Sequence, residues 1–328
     1  MNTVIQAANF SLELPQAGYE RPVLDRVTLS VQRGTTLGIV GESGSGKSLL
    51  SKALLGDVPD GAVVSGQLSV ADTDVIGGSS RQLRNLRQRQ ASMVFQDPKA
   101  SVNPVHRIGD FLTEHVVQSG VMRRAEAHRR ALELLARLQL HDPAGVMTRY
   151  PSELSGGMLQ RVVIAAALMN EPELLICDEA TTALDVTTQA EILQILTRLT
   201  RESSVTLVFV THDLELAGDL CDELCVLYAG SVLELGPTRE VLDTPKHPYT
   251  SALLRSTPRL SDAGRVLPSI PGVVLPLTEH PTGCVFADRC PLVMDACRVA
   301  PIAMRGYERW GWRCLTTASA GRLHDDAH

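Results

Sequence analysis

The chain has 328 residues, 44% hydrophobic and 21% charged, which is enough for a full-sized core and excludes collagen-like and wholly disordered chains. A formal net charge of −6 and an aromatic content of 4% argue against a nucleic-acid-binding surface, and no nucleic-acid partner is predicted. The longest purely aliphatic run, 162–169, is far shorter than the ~20 residues that span a bilayer. The N-terminus also lacks the features of a secretory signal, so we expect a cytosolic chain.

Short apolar runs alternate with amphipathic segments over residues 1–235, as in an α/β domain with a largely parallel sheet. Runs without polar alternation are typical of strands that are covered on both faces. Segment 124–140 carries apolar residues at helical spacing and predicts an amphipathic helix. Its predicted buried face is Ala127, Ala131, Leu134, Leu135 and Leu138. The predicted strands are 36–40, 91–95, 174–178, 205–211 and 224–228.

Residues 41–48 read GESGSGKS and lie between the strand TLGIV and a short helical segment that is predicted to end at Gly56. The glycines allow successive backbone N–H groups to face one anion, and the following helix adds its positive end. Lys47 would reach the β- and γ-phosphates, and Ser48 offers a hydroxyl to Mg²⁺. A flexible linker is the alternative. The predicted nucleotide-binding residues of this loop are Gly41, Ser43, Gly44, Ser45, Gly46, Lys47 and Ser48.

A second strand should bring carboxylates to the magnesium ion and to the attacking water. The sequence LLICDE at 174–179 has this form, with four apolar residues followed by two acids. We predict that Asp178 holds Mg²⁺ through water and that Glu179 orients or deprotonates the nucleophilic water. The alternative is an ordinary turn at the end of a strand.

The segment 151–172, PSELSGGMLQRVVIAAALMNEP, comes just before that strand. Ser155, Gly156 and Gly157 begin an apolar helix, so their N–H groups and the helix dipole can form a second anion site. The alternative is an ordinary helix with a glycine-rich cap.

With both loops in this order, the chain resembles the ATPase subunits of ABC transporters. The resemblance implies an α/β P-loop nucleotide-binding domain with a RecA-like core, an antiparallel β subdomain and a helical signature subdomain. It also implies that the signature around Ser155 closes on the ATP of a partner subunit, which places ATP in a dimer interface. Met158 stands where the family usually has Gln, a departure known in its peptide-import branch.

Further landmarks of the family follow in the expected order. Gln96 resembles the Q-loop glutamine that contacts Mg²⁺ or water, Asp185 the D-loop aspartate of the dimer seam, and His212 the switch histidine of the γ-phosphate. Tyr19 is the predicted adenine-stacking residue, although its spacing differs by one and Phe10 competes. The resemblance implies an active ATPase. Its predicted catalytic residues are Glu179, His212 and Gln96.

Two segments resemble the oligopeptide, dipeptide and nickel importers, namely 97–110 and HPYT at 247–250. We therefore predict an ATPase domain at 1–235, with a helical subdomain at about 98–165, and a C-terminal extension at 236–328. Because prolines crowd the extension, it reads as a separate, loop-rich appendage.

The resemblance further implies two membrane permeases, an extracytoplasmic solute-binding protein and a second, related ATPase subunit that would make the ATPase pair a heterodimer. It places the chain at the cytoplasmic face of the membrane. Peptide is the predicted cargo, with nickel or another small solute as the alternative. A soluble ABC ATPase acting on DNA or ribosomes, an exporter subunit and a regulatory subunit without hydrolysis are the rival hypotheses.

The chain has seven cysteines, three of them scattered among apolar runs and four within 284–314. The spacings in the C-terminal group, with five, six and sixteen intervening residues, differ from the tight pairs of most zinc sites. We favour a structural [4Fe-4S] cluster, which members of this branch can carry here, over zinc or over unligated thiols and occasional disulfides. The predicted ligands are Cys284, Cys290, Cys297 and Cys314. The scattered cysteines are Cys177, Cys221 and Cys225.

Overall fold

The computed structural model of the chain describes residues 2–181, 184–257, 268–307 and 309–316. The described residues divide between two compact units. The first unit comprises the described residues of Met1–Val4, Gln32–Thr35 and Ser69–Val210. The second comprises those of Ile5–Val31, Thr36–Leu68 and Thr211–His328.

Strands and helices alternate along much of the chain. The strands are β1 (Thr3–Glu13), β2 (Leu24–Gln32), β3 (Thr36–Val40), β4 (Val63–Val70), β5 (Thr73–Asp74), β6 (Ala91–Val94), β7 (Leu174–Asp178), β8 (Thr206–Thr211), β9 (Glu223–Tyr228), β10 (Ser231–Pro237), β11 (Arg305–Tyr307) and β12 (Trp310–Trp312). The helices are α1 (Lys47–Ala53), α2 (Ser80–Asn85), α3 (Ile108–Gln118), α4 (Arg124–Arg137), α5 (Pro143–Thr148), α6 (Gly156–Leu168), α7 (Val186–Ser203), α8 (Leu214–Leu220), α9 (Thr238–Asp243), α10 (Pro248–Ser256) and α11 (Ala296–Val299).

The first unit contains a parallel ladder in the order β6, β7, β8. Leu174 of β7 pairs with Ala91 on one side and with Thr206 on the other. All five residues of β7 are buried, as expected of a strand covered on both faces. Three of the predicted strands, those at 91–95, 174–178 and 205–211, therefore lie side by side. The outer two differ from their predicted limits by one residue, since Phe95 and Val205 fall outside them.

A group of helices, α3 to α6, packs together in the same unit, with α3 in contact with α4, α5 and α6. The predicted amphipathic helix is present as α4, and the whole predicted apolar face is buried. It ends three residues early, at Arg137, because Gln139 adopts a left-handed backbone conformation with φ 60°. The limits of the predicted helical subdomain stay a prediction.

The second unit holds β3 in parallel pairing with β9, so that Leu37 lies opposite Glu223. β10 runs antiparallel to β9, and β12 runs antiparallel to both β10 and β11. A smaller sheet has the strand order β2, β1, β4, β5. Within the described ranges, no helix combines the length and apolarity needed to cross a bilayer.

The described residues of the C-terminal extension make contacts with the strands of the second unit, and the limit of the extension at residue 236 stays a prediction. Its described residues belong to the second unit, where Glu234 on β10 pairs with Trp312 on β12. The Glu234 carboxylate also accepts hydrogen bonds from the backbone N–H groups of Lys246 and His247 and from Nε1 of Trp310, at 2.9–3.2 Å. Buried polar anchors of this kind leave no hydrophobic periodicity in a sequence, which is why the pattern missed them.

His247 begins helix α10, and its Nδ1 accepts the N–H of Tyr249 at 3.0 Å. Burial lowers the pKa of His247 to about 3, so the folded protein keeps it neutral. The unfolded chain binds a proton at about pH 6.5, so this residue's contribution to stability is intact above that pH. It is lost as the pH falls from about 6.5 towards 3, by up to about 1.4 kcal/mol per pH unit.

We predict that His247→Asn, which keeps a capping acceptor, weakens the pH dependence of stability. Between pH 7 and pH 5 the wild-type free energy of unfolding should fall by about 2 kcal/mol more than that of the variant. Urea unfolding of the full chain at the two pH values measures this difference. Identical pH dependence in the two proteins would contradict the assignment.

Candidate functional site

The phosphate loop joins β3 to α1 in the second unit. Gly41 and Gly46 have φ values of 157° and 102°, and the ring of the turn is closed by a hydrogen bond from the N–H of Ser45 to the carbonyl of Glu42, at 3.2 Å. Lys47 is buried, and its Nζ donates to the carbonyls of Gly41 at 2.9 Å and Glu42 at 3.1 Å. Ser43, Gly44 and Ser48 are exposed. The loop thus holds its lysine inside the turn and presents its outer residues to solvent.

The glycine at position 41 is required by a neighbouring strand end. A Cβ atom there would lie 2.1 Å from the carbonyl oxygen of Leu227, the penultimate residue of β9. Since that oxygen belongs to the backbone, the contact cannot be relieved by turning a side chain. The turn can therefore form only with glycine at this position.

In the first unit, the acids predicted from LLICDE stand at the end of β7. Asp178 is buried and Val210 lies opposite it on β8. Glu179 follows in the left-handed region, with φ 49°, and its N–H donates to the carbonyl of Val210 at 3.0 Å. A non-glycine residue in this region is strained, and such strain concentrates at functional sites.

Gln96 follows β6, which neighbours β7, and its Nε2 donates to Oε2 of Glu179 at 3.1 Å. The first unit therefore brings together two of the three predicted catalytic residues. The bond holds the glutamate side chain in one orientation, and the amide leaves the carboxylate other lone pairs with which to accept a proton.

The signature helix α6 begins at Ser155, whose Oγ accepts the N–H of Met158 at 3.3 Å. Ser155 and Gly156 are exposed. Gly157 packs against Thr188, and a Cβ atom added to this glycine would lie only 2.6 Å from Cγ2 of the threonine. Thr188 in turn donates through its hydroxyl and its N–H to Asp185, at 2.7 and 3.0 Å. These hydrogen bonds hold the pKa of Asp185 below its usual range.

Two contacts therefore link the signature helix to the D-loop helix α7. The first is the packing of Gly157 against Thr188, and the second is an ion pair between Arg161 and Glu191. Arg161 is buried and also donates to the carbonyl of Leu138 at 2.9 Å. The first unit therefore packs the helix that carries the predicted signature against the helix that begins at Asp185. The predicted signature residues are Ser155, Gly156, Gly157 and Met158.

His212 lies in the second unit, directly after β8, and is exposed. Asp213 begins helix α8, with its Oδ1 accepting the N–H groups of Glu215 and Leu216 at 2.9 and 3.2 Å. The N–H of Asp213 donates to Oγ1 of Thr211 at 3.0 Å. Because both neighbours are anchored, the backbone that carries the histidine is held in place.

The two aromatic residues considered for adenine stacking differ in exposure. Phe10 belongs to the core and is 1% exposed, whereas Tyr19 is 38% exposed. Only an exposed ring can stack on a nucleotide base, so the structure leaves Tyr19 as the predicted adenine contact and removes Phe10.

The four C-terminal cysteines share one neighbourhood. The N–H of Cys284 donates to the carbonyl of Cys297 at 2.7 Å. Burial, together with the thiols of Cys290, Cys314 and Cys297, raises the pKa of Cys284 to about 11. Yet across the residues that the structure describes, no three or more His, Cys, Asp or Glu side chains form a group that could hold a metal ion. The arrangement does not support the predicted iron–sulfur site.

No disulfide forms among the cysteines, all of which lie in the described part of the chain. Cys177 and Cys225 are buried in strands, and burial raises the pKa of each thiol to about 12. They act as small core residues.

Sequence reasoning missed two residues that contact the phosphate loop. Arg289 forms an ion pair with the Glu42 side chain, and the hydroxyl of Tyr249 accepts the N–H of Glu42. Both lie more than 200 positions further along the chain, at separations of 247 and 207 residues. No motif or periodic signal connects residues so far apart, so only the fold reveals the contacts.

Comparisons with known proteins agree with this architecture. Residues 24–182 match the family described as "ABC transporter", and residues 233–297 match "Oligopeptide/dipeptide transporter, C-terminal region". The chain is 41% identical, over 91% of its length and 92% of the relative's, to the probable D,D-dipeptide transport ATP-binding protein DdpD of Escherichia coli K12. It is 42% identical to the oligopeptide transport ATP-binding protein OppD of Salmonella typhimurium, over 84% of this chain and 82% of that one.

Solved structures give the same result. cbiO1 of Clostridium perfringens, part of the ABC transporter complex cbiONQ, superposes with a TM-score of 0.63 at 25% identity, covering 74% of this chain and 92% of that one. The ATP-binding cassette MJ0796, solved as a dimer bound to ADP and phosphate, gives 0.61 at 28% identity, covering 72% and 99%.

The fold and the motif residues define an ATP-hydrolysing cassette. Within that class, the chain belongs to the ABC transporter family, in the branch of oligopeptide and dipeptide transport ATP-binding subunits. ATP and Mg²⁺ are accordingly its nucleotide substrate and metal cofactor.

We predict that Gly41→Ala distorts the phosphate loop, because its methyl group would collide with the Leu227 carbonyl. ATP affinity should fall at least about tenfold, as expected for a misplaced binding loop. Titration of the full chain with a fluorescent ATP analogue measures this affinity in the wild type and in the variant.

Gly120→Ala is the matched control. Gly120 also has a positive φ, 70°, but no atom lies within 4 Å of its added Cβ. It should show backbone strain alone, about 1–2 kcal/mol in stability, with ATP affinity unchanged. Equal ATP affinity in Gly41→Ala and Gly120→Ala would show that the close contact is unimportant.

Proposed function

We propose that this chain is the ATP-hydrolysing subunit of an ABC importer that powers the uptake of di- or oligopeptides through partner permeases. The observation that carries the proposal is similarity that runs through both the cassette and the C-terminal extension. The relatives over this span are named as dipeptide and oligopeptide transport ATP-binding proteins.

We assign binding of the ATP phosphates to the loop around Lys47. In the structure its Nζ donates to two loop carbonyls, and these bonds can be exchanged for β- and γ-phosphate oxygens. The exposed residues Ser43 and Gly44 bring backbone N–H groups to the same anion.

The donor set for Mg²⁺ consists of hard oxygen ligands, the Ser48 hydroxyl and the Asp178 carboxylate, which fit this ion. When bound, Mg²⁺ neutralises charge that develops on the phosphates. Glu179 orients or deprotonates the attacking water, and Gln96 holds its carboxylate in place at 3.1 Å. His212 is assigned to the γ-phosphate.

A second ATPase subunit completes the proposed site. Ser155 and Gly156 are exposed at the start of α6, and Asp185 is exposed at the start of α7. The contacts between these helices mean that the signature and the D-loop would meet a partner as one unit. The resemblance to cassettes solved as dimers supports this assignment.

The proposed assembly contains two membrane permeases, an extracytoplasmic solute-binding protein and a related ATPase that forms a heterodimer with this chain. In this assembly the chain lies at the cytoplasmic face of the membrane. Nickel or another small solute is the alternative cargo, because the segment HPYT at 247–250 resembles nickel importers as well as peptide importers.

The test is ATP turnover by the complex reconstituted with its permeases, partner ATPase and binding protein. We predict that peptide-loaded binding protein stimulates phosphate release and that nickel does not. Stimulation by nickel alone would assign the other cargo. Turnover without any response to permeases would favour a soluble ABC ATPase.

In the same complex, Glu179→Gln should lower ATP turnover by more than ~10²-fold with ATP binding retained, the usual size of a general-base effect. Wild-type turnover in Glu179→Gln would remove that residue from its role.

The iron–sulfur cluster stays a separate prediction and has no part in the proposed reaction. The proximity of the four thiols favours it, whereas their geometry does not form a ligand set. If the prediction is correct, anaerobically purified protein is brown, absorbs near ~400 nm and contains about four irons per chain. Simultaneous Cys290→Ser and Cys297→Ser should remove the iron. Colourless, iron-free wild-type protein would contradict the prediction.

A further inference from the structure

Glu42 of the phosphate loop contacts the C-terminal extension through both its backbone and its side chain. Its carbonyl accepts Nζ of Lys47 at 3.1 Å. Its N–H donates to the hydroxyl of Tyr249 at 2.9 Å. Its carboxylate receives two hydrogen bonds from Arg289, at 2.6 and 3.1 Å. The side chain and the backbone N–H of one loop residue are therefore both bound by the C-terminal extension.

Every N–H donor of Arg289 has an acceptor. Nε donates to the carbonyl of Pro271 at 2.8 Å, and Nη2 donates to that of Ile270 at 3.1 Å as well as to Glu42. Nη1 divides its donors between Glu42 and the hydroxyl of Tyr228, at 3.4 Å. This accounts for all five donors of a guanidinium. Lysine cannot reproduce the pattern, because it offers a point charge in place of a planar fork.

The surroundings keep these groups fixed. The Arg289 side chain is 4% exposed, against 25% for its partner Glu42. The rings of Tyr228, Tyr249 and Phe286 pack against one another, with centroids 4.7–5.3 Å apart. The Arg289 guanidinium lies 5.7 and 5.9 Å from the first and last of these centroids. Burial raises the pKa of Tyr249, so its hydroxyl stays neutral. Breaking such a buried ion pair leaves an uncompensated charge, so the arrangement resists rearrangement.

We propose that Arg289 and Tyr249 are positioning residues for ATP binding, acting through Glu42 on the phosphate loop. Arg289 fixes the Glu42 side chain, Tyr249 fixes its N–H, and the two together orient the carbonyl that holds the lysine. The C-terminal extension is then a working part of the nucleotide site. This inference rests on the proposed function, because it assumes that the loop binds ATP.

The test compares ATP affinity of the full chain in Arg289→Lys, Glu42→Gln and Tyr249→Phe. Each variant keeps the size of the side chain and removes one element of the arrangement. ATP Kd should rise about tenfold in Arg289→Lys and in Glu42→Gln, the size of one charge-assisted hydrogen bond lost. It should rise about fivefold in Tyr249→Phe, which loses a neutral hydrogen bond of about 1 kcal/mol. In the assembled transporter the KM for ATP should rise by the same factor while kcat changes less than about twofold, the pattern of lost ground-state binding.

Arg313→Lys is the matched control. Arg313 also lies in the extension, but its Nη2 donates to the carbonyl of Arg26 on β2, at 2.6 Å, and does not contact the phosphate loop through that bond. It should weaken the attachment of the extension at that place and leave ATP Kd unchanged. A merely structural role for Arg289 would make the two variants alike.

A double variant, Arg289→Lys with Glu42→Gln, should bind ATP no more weakly than the weaker single variant, because both remove the same contact. Additive losses would overturn the link through Glu42. If Arg289→Lys does not fold, Glu42→Gln and Tyr249→Phe decide the question alone. Wild-type affinity in those two overturns the inference, whereas a wild-type chain that binds no ATP overturns the proposed function itself.

Discussion

The close passage of the phosphate loop beside strand β9 is the constraint on which the nucleotide site depends. Gly41 has to pass the carbonyl of Leu227 at a distance that leaves no room for a side chain, and only then can the chain turn from β3 into α1. That turn brings Lys47 inside the loop and leaves Ser43 and Gly44 exposed. The position of Lys47 in the second unit therefore depends on the close contact between Gly41 and the Leu227 carbonyl.

Buried polar groups hold the C-terminal extension in the same unit. The extension has few helices and little periodic apolar sequence, so hydrophobic burial alone gives it no obvious partner. Arg289 and Glu234 provide one, because each satisfies several backbone groups or an opposite charge inside the protein. Burying a charge is costly unless it is paired and fully hydrogen-bonded, and such groups accept very few alternative arrangements. The extension is thereby specified by polar contacts.

In the first unit, two acidic side chains lie at the end of a buried strand. Strand β7 is largely apolar and buried on both faces. Glu179, directly after it, has a strained left-handed backbone conformation, which is supported by a backbone hydrogen bond and by the side chain of Gln96. The signature and D-loop segments are joined in this unit by the contact of Gly157 with Thr188. A displacement of one of these two segments would therefore be transmitted to the other.

Local sequence was enough to predict the chemistry of the nucleotide site. Glycine spacing predicted the loop and the signature helix, and an apolar strand ending in acids predicted the carboxylates, because each pattern lies within one short segment. The order of these motifs along the chain then indicated the family. The burial of Phe10, the hydrogen bond between Gln96 and Glu179, and the contacts of Arg289 and Tyr249 with Glu42 became visible only in the folded protein. These contacts join residues tens to hundreds of positions apart. Their energy comes from geometry and desolvation in the folded state, which leave no periodic signal in the chain.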